Sequence, residues 1–300
     1  MSKKKHLFFG SATAIVTPFS KGQIDYLALG KMIDFQLENE TDALVILGTT
    51  GEASTIYENE RSELISFAKR KLGGKIPLIV GTGSNATSVA VRYSKSAESL
   101  GADGCLVVTP YYNKASAKGL VEHYKEIAKS VKIPVIVYNV PSRTGVKIPI
   151  EVYGELAKMG NVVGVKEASG DLGYLTELIY NYKDKFDIYT GCDELILPTL
   201  ALGGKGVVSV VSNVVPREVR NLCAAYKNGN TREARKIQLH LSPLIKEIFA
   251  EVNPIPIKCA LYKMGMCENE YRLPLCPSVR DKEIEKILGH YNLITAPRSY

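Results

Sequence analysis

A short apolar, β-branched run recurs eight times in this chain, and no other feature constrains its fold as tightly. The runs cover residues 12–16, 43–47, 77–80, 105–108, 134–138, 162–165, 186–189 and 206–211, and each starts 20 to 34 residues after the one before. That interval is about one strand plus one crossover helix. Unbroken apolar runs, unlike alternating ones, mark strands covered on both faces, as in parallel sheet. Between them, residues 24–40, 59–71, 84–100, 117–129, 150–159, 171–182 and 195–202 carry helical apolar spacing, and 216–227 supplies an eighth helix. Gly73, Gly101 and Gly203 stand where helix C-terminal signals are expected. So regular an alternation predicts an α/β chain folded as a (β/α)8 TIM barrel over residues 1–228, rather than a doubly wound sheet. Residues 229–300 hold further helical stretches and no comparable strand, so they are expected to form a C-terminal helical region packed on the barrel or on a partner.

Composition agrees with one large core. The 300 residues are 45% hydrophobic and 23% charged, which excludes disorder, and α/β barrels commonly run near ~250 residues as one domain. A net charge of +7 could attract nucleic acid or an anionic membrane, but only Lys3-Lys4-Lys5 and Lys69-Arg70-Lys71 form basic runs. Neither partner is expected. Six cysteines without a CxxC pair and only four histidines give no zinc spacing, and the scatter fits reduced thiols in a cytoplasmic enzyme. Lys3-Lys4-Lys5, an apolar stretch and Ala12-Thr13-Ala14 mimic a signal peptide, yet cleavage there would remove the first strand. No stretch approaches the ~18 apolar residues of a spanning helix.

Active sites of such barrels lie at the C-terminal ends of the strands, so the residues following each run are the candidates. Lys166 ends the sixth run, in strand parity with Val162 and Gly164. Burial favours the neutral amine there, which can attack a ketone to form a Schiff base. The competing reading is a structural lysine paired with Glu167. Its neighbours favour the nucleophile: Tyr138, Tyr112 and Thr49 fall at the same end of the barrel, and hydroxyls in a row pass protons without histidine. Arg143, between Pro141 and Gly145, suits a bidentate clamp on a substrate carboxylate. The turn Gly48-Thr49-Thr50-Gly51 offers N–H groups and hydroxyls to a carboxylate or oxyanion. Gly81-Thr82-Gly83-Ser84-Asn85-Ala86 matches a dinucleotide fingerprint in letters but belongs to the third of eight similar units, and Gly203-Gly204-Lys205-Gly206 lacks the spacing of a Walker loop.

The blocks Gly48-Thr49-Thr50-Gly51-Glu52, Thr109-Pro110-Tyr111-Tyr112-Asn113, Tyr138 to Gly145, Gly164 to Asp171 and Asn253-Pro254-Ile255-Pro256-Ile257-Lys258 resemble, in order, the 4-hydroxy-tetrahydrodipicolinate synthase (dihydrodipicolinate synthase) family. The resemblance implies a class I aldolase-type enzyme that condenses pyruvate with L-aspartate 4-semialdehyde on the way to diaminopimelate and lysine, with no metal and no organic cofactor. By position it implies that Lys166 forms the Schiff base and that Tyr138 relays protons with Thr49 and Tyr112, the last from a neighbouring subunit. Thr50 and Val208 would hold pyruvate, and Arg143 the semialdehyde carboxylate. It also implies a homo-oligomer, a tetramer built as a dimer of dimers. Related lyases that cleave N-acetylneuraminate or keto-sugar acids are similar at the lysine and at the tyrosine of the fifth strand; Arg143 separates this chain from them. Feedback-inhibited members carry an acidic residue where this chain has Val89 and a histidine where it has Arg61, so lysine is expected to inhibit weakly or not at all.

Overall fold

The computed structural model describes residues 6–294. Eight parallel strands close into a barrel in the order β1-β8-β7-β6-β5-β4-β3-β2, with β2 returning to β1. They are β1 Gly10–Ala14, β2 Ala43–Ile46, β3 Leu78–Gly81, β4 Gly104–Val108, β5 Val135–Asn139, β6 Val162–Glu167, β7 Asp187–Thr190 and β8 Gly206–Ser209. Eight helices alternate with them: α1 Tyr26–Glu38, α2 Glu58–Leu72, α3 Thr87–Ser99, α4 Ala117–Ser130, α5 Ile150–Leu156, α6 Leu172–Tyr182, α7 Ile196–Ala201 and α8 Pro216–Lys227. Every strand run and every helical segment read from the sequence corresponds to one of these elements. The run Lys3-Lys4-Lys5 lies outside the described residues, whereas Lys69 and Lys71 of the second basic run pair with Asp103 and Asp34 at 2.9 and 2.5 Å.

The boundaries differ where a side chain or a bulge ends an element. The first strand is Gly10–Ala14 rather than 12–16, because Gly10 N bonds to Lys205 O and pairing with β8 begins there. α1 starts at Tyr26, since the Asp25 carboxylate caps Leu27 N and Ala28 N while Gln23–Ile24 pairs with Phe19–Ser20 in a small antiparallel hairpin. β8 stops at Ser209: the Asp193 carboxylate takes Val210 N and Val211 N at 3.0 and 3.1 Å and turns the chain away. β6 runs two residues beyond its apolar run, so Lys166 lies inside the strand, paired with Tyr138 on one side and Tyr189 on the other. The expected parity of Val162 with Lys166 is broken. Register with β5 slips between Val135 and Ile136, and Val162 packs in the outer layer, against the helices.

Two apolar layers result. The outer one fills the space between strands and helices; the inner one, including Ala12, Val45, Ile79, Ile136 and Val208, fills the barrel. The first layer continues into the C-terminal region, where α9 Thr231–Ile248, α10 Ile255–Lys263 and α11 Asp281–His290 bury Leu244, Ile248, Ile257, Leu261 and Leu288. At roughly 25 cal/mol per Å² of apolar surface, this shared core binds the region to the barrel of its own chain. Among the described residues no helix is long and apolar enough to cross a membrane.

Candidate active site

At the C-terminal end of the barrel lies a cavity of about 470 Å³ lined by Thr49, Thr50, Tyr138, Arg143 and Lys166. Its roof comes from the segment between α9 and α10, through Phe249, Val252 and Asn253. Lys166 and Tyr138 are each 6% exposed, and the Lys166 Nζ lies 4.2 Å from the centre of the Tyr138 ring. Adjacent strands carry the two residues in register, which fixes this approach.

The pairing of Lys166 with Glu167 does not occur. Neighbouring residues on a strand point to opposite faces, and the Glu167 carboxylate is held on the outer one by Asn139 Nδ2 at 2.7 Å and Ser169 N at 2.6 Å. Among the described residues no carboxylate lies within salt-bridge reach of Lys166. Burial pushes the Cys192 thiol up to about 12, so this cavity-lining sulfur stays protonated and is a poor nucleophile. Four further features fit an imine-forming lysine: hydroxyls of Thr49, Thr50 and Tyr138 line the same space, and a second cation, Arg143, stands at its rim.

Room for the lysine comes from a residue that sequence reading passed over. A Cβ at Gly191, just past β7, would lie 2.7 Å from Lys166 Cε and 2.7 Å from Ala168 Cβ. Its sequence neighbourhood carries no mark of this role: Gly191 stands two residues past the seventh apolar run, and the contact is with another strand. On β6, two residues before Lys166, Gly164 lets Asp187 O of β7 approach to 2.9 Å from where a Cβ would stand.

The turn after β2 is fixed from the C-terminal region. Asn253 Nδ2 donates to Thr50 Oγ1 at 3.0 Å, and Arg143 Nη2 donates to Asn253 O at 2.9 Å. Lys258, on α10, meets Glu52 at 2.6 Å with both side chains fully buried, and its Nζ sits 4.1 Å from the centre of the Phe19 ring. Desolvation lowers the pKa of Lys258, an effect opposed by the Glu52 charge. These contacts explain why Glu52 and Lys258 stand in the two quoted sequence blocks although about two hundred residues separate them.

Two of the candidate residues lie apart from the cavity lining. Val208 is fully buried in the inner layer and does not line the cavity. Tyr112 is 91% exposed and held at φ +72°, a left-handed conformation that costs ~1–3 kcal/mol for a side chain of this size. Its hydroxyl does not reach the cavity of its own chain.

Beside the site, a second cavity of about 460 Å³ shares Thr49 and Tyr138 and is lined further by Arg61, Val89, Tyr93 and Tyr111. The Arg61 guanidinium stacks 4.1 Å from the Tyr93 ring centre and donates to Gly81 O at 2.6 Å; burial lowers its pKa. Among the described residues no group of three His, Cys, Asp or Glu side chains is placed to hold a metal ion.

Comparisons with known proteins point to one family. The sequence profile of the Dihydrodipicolinate synthetase family matches residues 7–289. A 4-hydroxy-tetrahydrodipicolinate synthase of Alkaliphilus oremlandii is 51% identical over 290 residues, covering 96% of this chain and all of that protein. The crystal structure of dihydrodipicolinate synthase from Thermotoga maritima superposes with a TM-score of 0.94 at 44% identity, over 96% of this chain and all of that one. The chloride-inhibited enzyme of Acinetobacter baumannii, complexed with pyruvate, superposes with a TM-score of 0.93 at 39% identity, over 95% and 99% of the two chains. Profile, full-length identity and barrel all coincide, and the chain belongs to the dihydrodipicolinate synthetase family.

Proposed function

We propose that this protein is a Schiff-base-forming synthase that joins pyruvate to L-aspartate 4-semialdehyde, yielding 4-hydroxy-tetrahydrodipicolinate for diaminopimelate and lysine synthesis. The observation that carries the reading is Lys166: buried, without a carboxylate partner, facing Tyr138 and opening into a cavity with Arg143 at its rim.

In its neutral form the Lys166 amine attacks the pyruvate ketone, and water leaves as the imine forms. The protonated imine withdraws electrons from the adjacent methyl carbon, which loses a proton to give an enamine without help from a metal. That carbon attacks the aldehyde of the second substrate, and the resulting alkoxide takes a proton. The substrate's own amine then adds to the imine carbon, closing the ring and releasing Lys166. Tyr138 serves as proton donor and acceptor in these steps, with Thr49 and Tyr112 of a neighbouring copy extending the relay. Thr50 holds the pyruvate carboxylate through its hydroxyl and Val208 through its backbone, while Arg143 clamps the carboxylate of the semialdehyde. In this reading residues 1–228 form the catalytic barrel and 229–300 the helical region, and the protein works in the cytoplasm as a homo-oligomer, a tetramer assembled as a dimer of dimers.

Borohydride reduction in the presence of pyruvate tests the central step. Irreversible labelling is expected at Lys166, located by peptide mass mapping; an adduct on another residue, or none, refutes the reading.

A further inference from the structure

Behind Lys166 and Tyr138, on the outer face of the same two strands, stands a second pair. Asn139 and Glu167 directly follow Tyr138 and Lys166, lie opposite one another in register, and are both buried. Asn139 Nδ2 donates to Glu167 Oε2 at 2.7 Å. The remaining ends are also tied down, since Glu167 Oε1 accepts from Ser169 N at 2.6 Å and Asn139 Oδ1 from Ile148 N at 3.2 Å. On its other side, the main-chain carbonyl of Glu167 accepts from Gly191 N at 2.7 Å, just past β7. Glu167 thus joins the strand that carries the lysine to both of its neighbours. Desolvation raises the pKa of its carboxyl, and the bonds from Asn139 and Ser169 oppose that rise.

We propose that Asn139 and Glu167 are positioning residues for imine formation: their hydrogen bond, outside the barrel, fixes how Lys166 meets Tyr138 inside it. The inference rests on the function proposed above. Register between β5 and β6 slips at Val135 and Ile136, so pairing at the lower ends of these strands does not set it at the upper ends. Above the slip the pairs are Ile136–Gly164, Val137–Val165, Tyr138–Lys166 and Asn139–Glu167. Among the described residues only the last is joined by a side-chain hydrogen bond. An apolar pair would fill the outer layer, as Val137 and Val165 do, without the cost of burying a carboxylate. What the polar pair adds is direction. A charge-assisted bond with every end occupied is met in one register, and a slip of one residue would turn Lys166 out of the barrel. Neither side chain lines the cavity, so each acts through the residue before it.

The test exchanges the polarity of the bond. Glu167→Gln keeps the shape but leaves two donors, Asn139 Nδ2 and Ser169 N, competing for one oxygen. Adding Asn139→Asp lets the new amide donate to the new carboxylate, and both outer ends keep their acceptors. Rapid-quench borohydride trapping reads the rate of imine formation. In Glu167→Gln that rate at saturating pyruvate should fall about 10- to 100-fold, while the pyruvate concentration giving half of it changes less than about threefold, because Thr50 is untouched. The double variant should return to within about threefold of the unaltered enzyme. Leu72→Ala, a buried substitution at the C-terminal end of α2, controls for lost stability and should leave the rate unchanged. Should Glu167→Gln not fold, Asn139→Asp alone, which sets two carboxylates side by side, is compared with the same double variant. An unaltered rate in a folded single variant, an equal loss in Leu72→Ala, or no recovery in the folded double variant overturns the proposal. Failure of the unaltered enzyme to trap pyruvate on Lys166 would instead overturn the proposed function.

Discussion

Gly191→Ala separates the packing role of this glycine from its catalytic one. A methyl group there would lie 2.7 Å from two carbons, Lys166 Cε and Ala168 Cβ, about 1 Å inside ordinary carbon contact. The two clashes resolve differently. Ala168 Cβ is fixed to the backbone, so the ends of β6 and β7 must part, at ~1–3 kcal/mol for an overpacked core. The lysine is flexible and can swing aside cheaply, but that swing moves the nucleophile, and a misplacement of ~1 Å in a reacting group costs on the order of 10²-fold in rate. Urea unfolding and the rate of borohydride trapping with pyruvate measure the two effects separately. In Gly191→Ala we expect both to fall; adding Ala168→Gly should restore most of the stability and little of the trapping rate. Trapping at the unaltered rate in Gly191→Ala would refute the claim that Gly191 makes room for Lys166. Recovery of both quantities together in the double variant would show that strand separation, not lysine displacement, limits the chemistry.

L-Lysine should inhibit weakly or not at all, because its ammonium would meet Val89 and the buried Arg61 guanidinium; losing one partner of a buried charge pair forfeits ~2–5 kcal/mol of affinity. Initial rates against lysine concentration check this, and an inhibition constant in the low-millimolar range or tighter would contradict it. Mixing inactive Tyr112→Phe and Lys166→Ala chains should restore part of the activity if Tyr112 completes the site of another copy; no recovery after confirmed subunit exchange would place Tyr112 in its own chain's chemistry. Asp193 gives a pH signature. Burial raises its pKa from 3.8 to about 6. The folded protein thus keeps this proton over a window, about pH 4 to 6, in which the unfolded chain has lost it, so the group's contribution to stability falls as pH rises through the window and is flat above it. The unfolding free energy of the unaltered protein minus that of Asp193→Asn should decline by about 3 kcal/mol between pH 4 and 6; a difference independent of pH would refute the assignment.

The barrel was legible because its signal is local. Each strand is covered on both faces, so four or five consecutive apolar residues mark it, and the crossover helices space the marks evenly. Element ends were less legible, for a physical reason visible at three of them. Asp25 ends the hairpin by capping α1, Asp193 ends β8 by capturing two amides, and the slip at Val135 moves Val162 to the outer layer. In each case the deciding contact is a polar side chain or a register change, which apolar periodicity does not record.

The candidate site divides along the same line. That Lys166, Tyr138 and Thr49 line one cavity was legible because each sits at or beside the end of an apolar run, and the fold brings such ends together whatever the loops do. Gly191 was missed because its role exists only relative to Lys166 on the next strand, and nothing in its own sequence neighbourhood announces that contact. Asn253 was visible as a letter in a recognisable block but not as a contact. Its meaning depends on α10 being pinned by Lys258 to Glu52, a pairing across about two hundred residues that no spacing rule connects. The C-terminal helical region read as an appendage because it lacks a strand, yet it supplies the roof of the cavity and holds both Thr50 and Arg143. Candidate residues that a barrel places by its own symmetry can be read from one strand at a time. Residues that fix Thr50 and Arg143 come from outside the repeat, and only the packed structure identifies them.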